Sequence, residues 1–206
     1  MTIRTLPRTM ALGALSLASV GVLVGCTAAD PEAGSHEGMP GMSEAPTTAS
    51  PGASETEAND ADAMFAGMMI GHHEQAIEMS DLVLGKDGAD PRVVDLATRI
   101  KAAQAPEIEQ LRGWLADWGV AEPSGPMDHG DGMMSEDDLA ALEAAAGPEA
   151  SRLFLEQMIV HHEGAVAMAE DQLAKGESPE ALALAQAIVD AQTAEIQEMR
   201  DLLTAL

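Results

Sequence analysis

The chain has 206 residues, 35 of them acidic and ten basic, for a formal charge of −25. Phosphate backbones bind through clustered Lys and Arg, so this balance excludes nucleic acid as a partner, whereas it attracts cations. A single cysteine, Cys26, excludes an intramolecular disulfide framework and a Cys-based zinc site; two Phe, two Trp and no Tyr amid abundant Ala, Leu, Met, Glu and Gln predict one all-α domain.

Arg4 and Arg8 precede an uncharged run from Met10 to Val24, too short for a comfortable membrane span of about 20 residues. Residues 1–25 therefore predict an export signal. The tetrad Leu23-Val24-Gly25-Cys26 at its end resembles the bacterial lipoprotein signal, in which the cysteine is lipidated and becomes the new N-terminus. Cleavage removes two of the ten basic residues and no acid, leaving eight against 35 and a charge of −27. The expected location is outside the cytoplasm, anchored to the membrane through Cys26, in the periplasm or at the cell surface.

Residues 26–58 are Ala, Gly, Ser, Thr, Pro and Glu with little to bury, which reads as a flexible tether. It carries "SHEGMPGM", with His36, Met39 and Met42. Thioether beside imidazole suits a soft metal, Cu(I) above all.

Residues 59–206 hold an internal repeat. A shift of 89 lays Phe65 on Phe154, Met69 on Met158, His72 on His161, His73 on His162, Glu74 on Glu163 and Met79 on Met168. A shift of 88 lays Pro91 on Pro179, Gln104 on Gln192, Glu107 on Glu195 and Arg112 on Arg200. Each copy reads as a helical hairpin. The first runs from Asp60 to Leu84, turns through "GKDGADP", and continues from Pro91 to Trp118 with Asp90 as N-cap. Pro106 should kink its second helix. A long connection follows, with a short helix capped at Ser135. The second hairpin runs from Pro148 to Lys175, stops at Gly176, caps at Ser178 and continues from Pro179 to the C-terminus. Two such hairpins predict a four-helix bundle, with the two histidine-bearing helices expected to run parallel.

At about 100° per residue, with Phe65 at zero, the apolar stripe of the first helix centres near about 30°, and His72 and His73 flank it at about 340° and about 80°. Glu74, Glu78 and Asp81 fall on the solvated side. On the second helix Ile100, Ala103, Leu111 and Trp114 point inward, and Gln104 and Glu107 fall among them. The fourth long helix repeats this with Gln192 and Glu195. A carboxylate in an apolar stripe is costly unless it is paired or bound to a cation. All these groups lie about 20 Å from their turns at 1.5 Å per residue, so they should meet at one level.

Two readings of that cluster stand side by side. His72, His73, His161, His162, Glu107 and Glu195, with Met69 and Met158 a turn before each pair, form a ligand set for copper or another divalent transition metal. The same groups could instead close a His/Glu/Gln hydrogen-bond network that fixes helix register. Met127, His129, Met133 and Met134 in the glycine-rich connection have no apolar stripe to pack into and suggest an auxiliary soft-metal arm.

The paired segments Met69 to Ser80 and Met158 to Ala169, with Gln104 to Ile108 and Gln192 to Ile196, resemble the bacterial DUF305 family over about residues 59–206. Ser80 stands where that family usually has alanine. The resemblance implies a ferritin-like helical bundle, with copper binding and copper tolerance as the expected role. A ferritin-like di-metal oxidase would need Glu-x-x-His with both groups inward; here Glu74 and Glu163 point outward, so binding is favoured over catalysis. A third reading is a scaffold or sensor lipoprotein that holds no metal and presents an acidic surface to an envelope protein.

Overall fold

The computed structural model describes residues 58–122 and 132–206, and all regular structure among them is helical. In chain order the elements are α1 (Asp60–Leu84), α2 (Pro91–Asp117), α3 (Glu136–Ala144), α4 (Gly147–Lys175) and α5 (Pro179–Ala205). None of these helices is long and apolar enough to cross a membrane. The expected signal, Cys26 and the tether lie outside the described residues, as do Met127 and His129.

The helix boundaries follow from local chemistry. Asn59 opens α1 with a capping box, accepting from the amides of Ala61 and Asp62 while the Asp62 carboxylate accepts from the Asn59 amide. Asp90 caps α2 ahead of Pro91, Ser135 caps α3, and Ser178 caps α5 ahead of Pro179. α2 runs as one helix through Pro106, which sits on its exposed side, where the carbonyl deprived of a partner is open to water. Ala103, expected inward, is exposed, and Trp114 is only half-buried.

The close backbone contacts are α1 with α2, α4 with α5, and α1 with α4, leaving the α2–α5 side comparatively open. α1 and α4 run antiparallel, which corrects the parallel arrangement expected from the sequence. Asn59 Nδ2, at the start of α1, donates to the Lys175 carbonyl at the end of α4, and the Gln172 side chain donates to Asp62. Past the other end of α1, the Asp90 amide donates to Ser151 Oγ at 2.8 Å. The chain therefore leaves α2 at the end where α1 began and must descend the full length of α4, roughly 40 Å at 1.5 Å per residue, before α4 can start. That descent is the work of the long connection and α3.

Gly132 shows how tightly the connection lies. Its φ is +79°, and a Cβ there would come within 2.6 Å of the Val160 carbonyl oxygen on α4. Two residues on, the amide and carbonyl of Met134 bond the two ends of the Gln75 side-chain amide on α1, at 2.7 and 2.9 Å. Met134 is buried in the core with Leu142 of α3 and Phe154 of α4, so the connection does have an apolar surface to pack into, contrary to expectation.

The core is two apolar clusters separated by a polar layer. One unites Met79, Val83, Leu96, Ile100, Phe154 and Met199; the other unites Phe65, Met69, Ile70, Leu111, Ala169 and Ile188. On each long helix the gap between clusters is occupied by buried polar residues: His72 and His73 on α1, Gln104 on α2, His161 and His162 on α4, Gln192 on α5.

Candidate metal centre

Because α1 and α4 cross antiparallel at their midpoints, His72 meets His161, with ring centroids 3.7 Å apart and planes inclined by 40°. The second histidine of each pair turns to its own hairpin partner. His73 Nε2 lies 2.7 Å from Glu107 Oε2, and His162 Nε2 lies 2.8 Å from Glu195 Oε2. These two pairs match under the sequence shifts and flank the His72–His161 contact. All four imidazoles are buried, while Glu107 and Glu195 keep 26% and 17% side-chain exposure. The carboxylates thus connect a dry interior to the solvated edge.

Several buried polar atoms of this layer have no hydrogen-bond partner among the described residues: Nδ1 of His73 and of His162, and Oε1 of Gln104 and of Gln192; the His161 ring has no well-formed hydrogen bond either, only a weak one with the His72 backbone. Buried polar atoms are nearly always matched, so a cluster of unmatched ones at one level calls for a reason. Burial, reinforced by the neighbouring imidazoles of His72, His162 and His73, pushes the His161 pKa well below the ordinary histidine value. His161 is therefore neutral, with a lone pair on one ring nitrogen.

The donor chemistry fits a transition metal: neutral imidazoles, with the thioethers of Met69 and Met158 fully buried one turn before each pair. A carboxylate accepting from Nε2–H fixes the tautomer that leaves Nδ1 as the electron-pair donor, the usual outer-sphere support of a metal-binding histidine. Among the described residues, however, no three His, Cys, Asp or Glu side chains converge on one point. Glu107 and Glu195, expected as ligands, are engaged with imidazole instead. Glu74 and Glu163 point outward as expected and pair with Arg112 and Arg200 on the surface. Met133 is half-buried and Met134 is a core residue.

Two features escaped the sequence reading. Asp62 was passed over, yet its fully buried carboxylate accepts from the amides of Asn59, Glu177 and Ser178 and from Gln172. Burial alone would raise its pKa, but these hydrogen bonds outweigh burial and hold it below the ordinary value. The capping signal Asn59-x-x-Asp62 was legible; the tie across to the α4–α5 turn was not. The exposed methionine Met64 was also passed over.

A family described as a domain of unknown function, DUF305, matches residues 62–203. Among solved structures, a DUF305 protein from Streptomyces coelicolor, described as a candidate secreted protein, is 34% identical, with 70% of this chain and 91% of that one covered and a TM-score of 0.67. A DUF305 fragment from Deinococcus radiodurans is 33% identical over 72% of this chain and 99% of that one, with a TM-score of 0.67. CopM in its Cu(II)-bound form is 33% identical over 70% and 96%, with a TM-score of 0.62; CopM is also solved with Cu(I) and with silver. No curated protein matches the chain.

Proposed function

The chain belongs to the DUF305 family, and on that premise we propose that it is an exported lipoprotein that binds copper at the mid-bundle histidine layer, for buffering or tolerance outside the cytoplasm. The observation that carries the reading is the pair of buried Nδ1 atoms of His73 and His162, unmatched while Nε2 of each ring is held by a glutamate. Each ring presents a lone pair to the interior with its tautomer already set. His161, neutral through burial, supplies a further donor, and Met69 and Met158 supply soft sulfur for Cu(I). Glu107 and Glu195 then act as positioning residues, with the ion held by imidazole and thioether after small side-chain rotations. The likeness to CopM, solved with copper and silver, supports the choice of metal. Residues 1–25 serve as the signal, Cys26 as the lipidated anchor and residues 26–58 as the tether.

A second reading is favoured by one observation: the His73–Glu107 and His162–Glu195 bonds already cross-link each hairpin, and no three-ligand site is formed among the described residues. On that reading the layer fixes register, no metal is bound, and the acidic bundle serves an envelope protein partner.

Copper binding separates them. Cu(I) and Cu(II) are titrated separately into the soluble form starting at Thr27 and into a variant with His72, His73, His161 and His162 all changed to alanine. Loss of at least one bound ion in a still-folded variant supports the copper site; no binding, or a stoichiometry untouched by the changes, supports the structural network. Imidazole must be deprotonated to bind, so affinity should fall as an ordinary histidine protonates below about pH 6.5. Affinity unchanged at about pH 5 argues against imidazole ligands.

A further inference from the structure

Among the described residues, the outer face of the α1–α4 pair is covered along only part of its length. Toward the end of α1, α3 and the Gly132–Met134 segment lie across it: Gln157 of α4 donates to the Asp138 carbonyl of α3 at 2.8 Å, and Gln75 of α1 holds both backbone groups of Met134. Toward the start of α1 a groove of about 390 Å³ opens between the two helices. Met64 and Met68, one helical turn apart, line it from α1; Met168 lines it from α4; Phe65, buried, forms its floor.

Met168 packs in part against the core, but packing does not account for Met64. Met64 is 64% exposed, more than any other large apolar residue among those described. Under the 89-residue shift its counterpart is Leu153, which packs against the same core cluster as Leu139 of α3, and the counterpart of Met68 is Gln157, bonded to α3. At these two α1 positions thioethers stand on the open part of the face where leucine and glutamine stand on the covered part; Met168 matches the buried Met79. Asp60 and Asp171 line the same groove, and its one ammonium, Lys175, is ion-paired to Asp171 at 2.6 Å. The lining therefore joins soft sulfur to a net negative charge.

We propose that Met64, Met68 and Met168 form a second metal site, at the surface, for a soft monovalent cation of the Cu(I) class. Thioether sulfur selects Cu(I) over harder or borderline ions, and the aspartates raise the local cation concentration. Met68 lies one turn before His72 and Met168 two turns after His161, so the groove stands beside the histidine layer with its own ligands. It extends the copper reading without depending on it.

The test uses the full chain carrying methyl-13C methionine, titrated with Ag(I) as a redox-inert probe and then with Cu(I) without oxygen. Single Met→Leu changes, which conserve volume, assign the signals. The three methyl signals should move together. The variant M64L/M68L/M168L should bind one ion fewer with unchanged helix content, and each single change should weaken Ag(I) at that site at least about tenfold. Zn(II) should leave the three signals in place. Signals that stay fixed while ions bind elsewhere, or a stoichiometry unchanged in the triple variant, overturn the site. Histidine ring signals report the mid-bundle layer separately, so methyl shifts without ring shifts would refute that layer as a copper site and keep the groove.

Discussion

Replacing His161 by leucine should make the metal-free protein more stable while removing its response to Cu(II). His161 is fully buried and neither ring nitrogen makes a well-formed hydrogen bond among the described residues, the His72 backbone being a weak partner. A neutral imidazole brings one donor and one acceptor, and leaving one weakly matched and the other unmatched in the interior costs about 2–4 kcal/mol in all. Against this, a leucine fitted where the ring lies against His72 costs up to about 1.5 kcal/mol in shape mismatch. The net expectation is a gain of about 1–3 kcal/mol, at roughly 2–4 °C in Tm per kcal/mol for a chain of this size. The sign with pH follows from the lowered pKa of His161. Below about pH 6.5 the unfolded chain binds a proton at this residue that the folded chain does not, so the wild type loses stability as pH falls and the variant is spared that loss. Urea unfolding followed by far-UV circular dichroism, with chelator at about pH 7.5 and about pH 5.5, should show the variant ahead at both and further ahead at the lower. Cu(II), which the thioether groove does not select, at about a hundred times its Kd should then stabilise the wild type by about 2.7 kcal/mol and leave the variant unmoved. A variant less stable than wild type by more than about 1 kcal/mol in chelator would refute the reasoning, because His161 would then be a satisfied member of a structural network.

Two further expectations concern the scaffold. Asp62→Ala strands Gln172 and the Glu177 and Ser178 amides at the α4–α5 turn and should cost about 3–5 kcal/mol near neutral pH. Because the folded pKa of Asp62 is lowered, that contribution is full above the ordinary carboxylate value near 3.9 and is lost as pH falls through the folded one, so urea midpoints of the two proteins should converge in acid. Gly132→Ala combines a positive φ, costing about 1–2 kcal/mol, with a Cβ driven into the Val160 carbonyl. Hydrogen exchange at the Met134 amide, held by Gln75, should accelerate at least about tenfold. Unchanged exchange there would mean the segment tolerates the side chain.

Much of this architecture was legible residue by residue. Asp90, Ser135 and Ser178 announced their caps, Gly176 its stop, and the 3.6-residue pattern put the four histidines, Gln104 and Gln192 inside with Glu74 and Glu163 outside. Ala103 failed because a methyl group exerts little pull toward either face. Pro106 is held inside the continuous α2 because it lies on the exposed side, where its orphaned carbonyl is left to water. The pairing of imidazole with glutamate was visible as chemistry, but which nitrogen it engaged was not, because spacing carries no information on ring orientation.

The error in helix sense has a definite cause, and so does the survival of the site despite it. Periodicity fixes which face of a helix is buried and says nothing of the direction in which its neighbour runs. Length does say something. Had α1 and α4 run parallel, α4 would begin at the end where α2 stops, and a turn of a few residues would suffice. The sequence instead places residues 118–146 between α2 and α4, the α3 helix among them, a length that a return along the bundle requires. The polar layer tolerates either sense because His72 and His161 lie near the middle of helices of 25 and 29 residues, so reversing a helix leaves its midpoint in place. What the sense does decide is the neighbour of each pair off the midpoint. Antiparallel packing sets Phe65 and Met68 beside Met168, and Met79 beside Phe154, so one end of the outer face lies under α3 and the other is left open with sulfur along it. The histidine layer is thus a property of each hairpin read alone, whereas the methionine groove exists only through the direction in which the two hairpins meet.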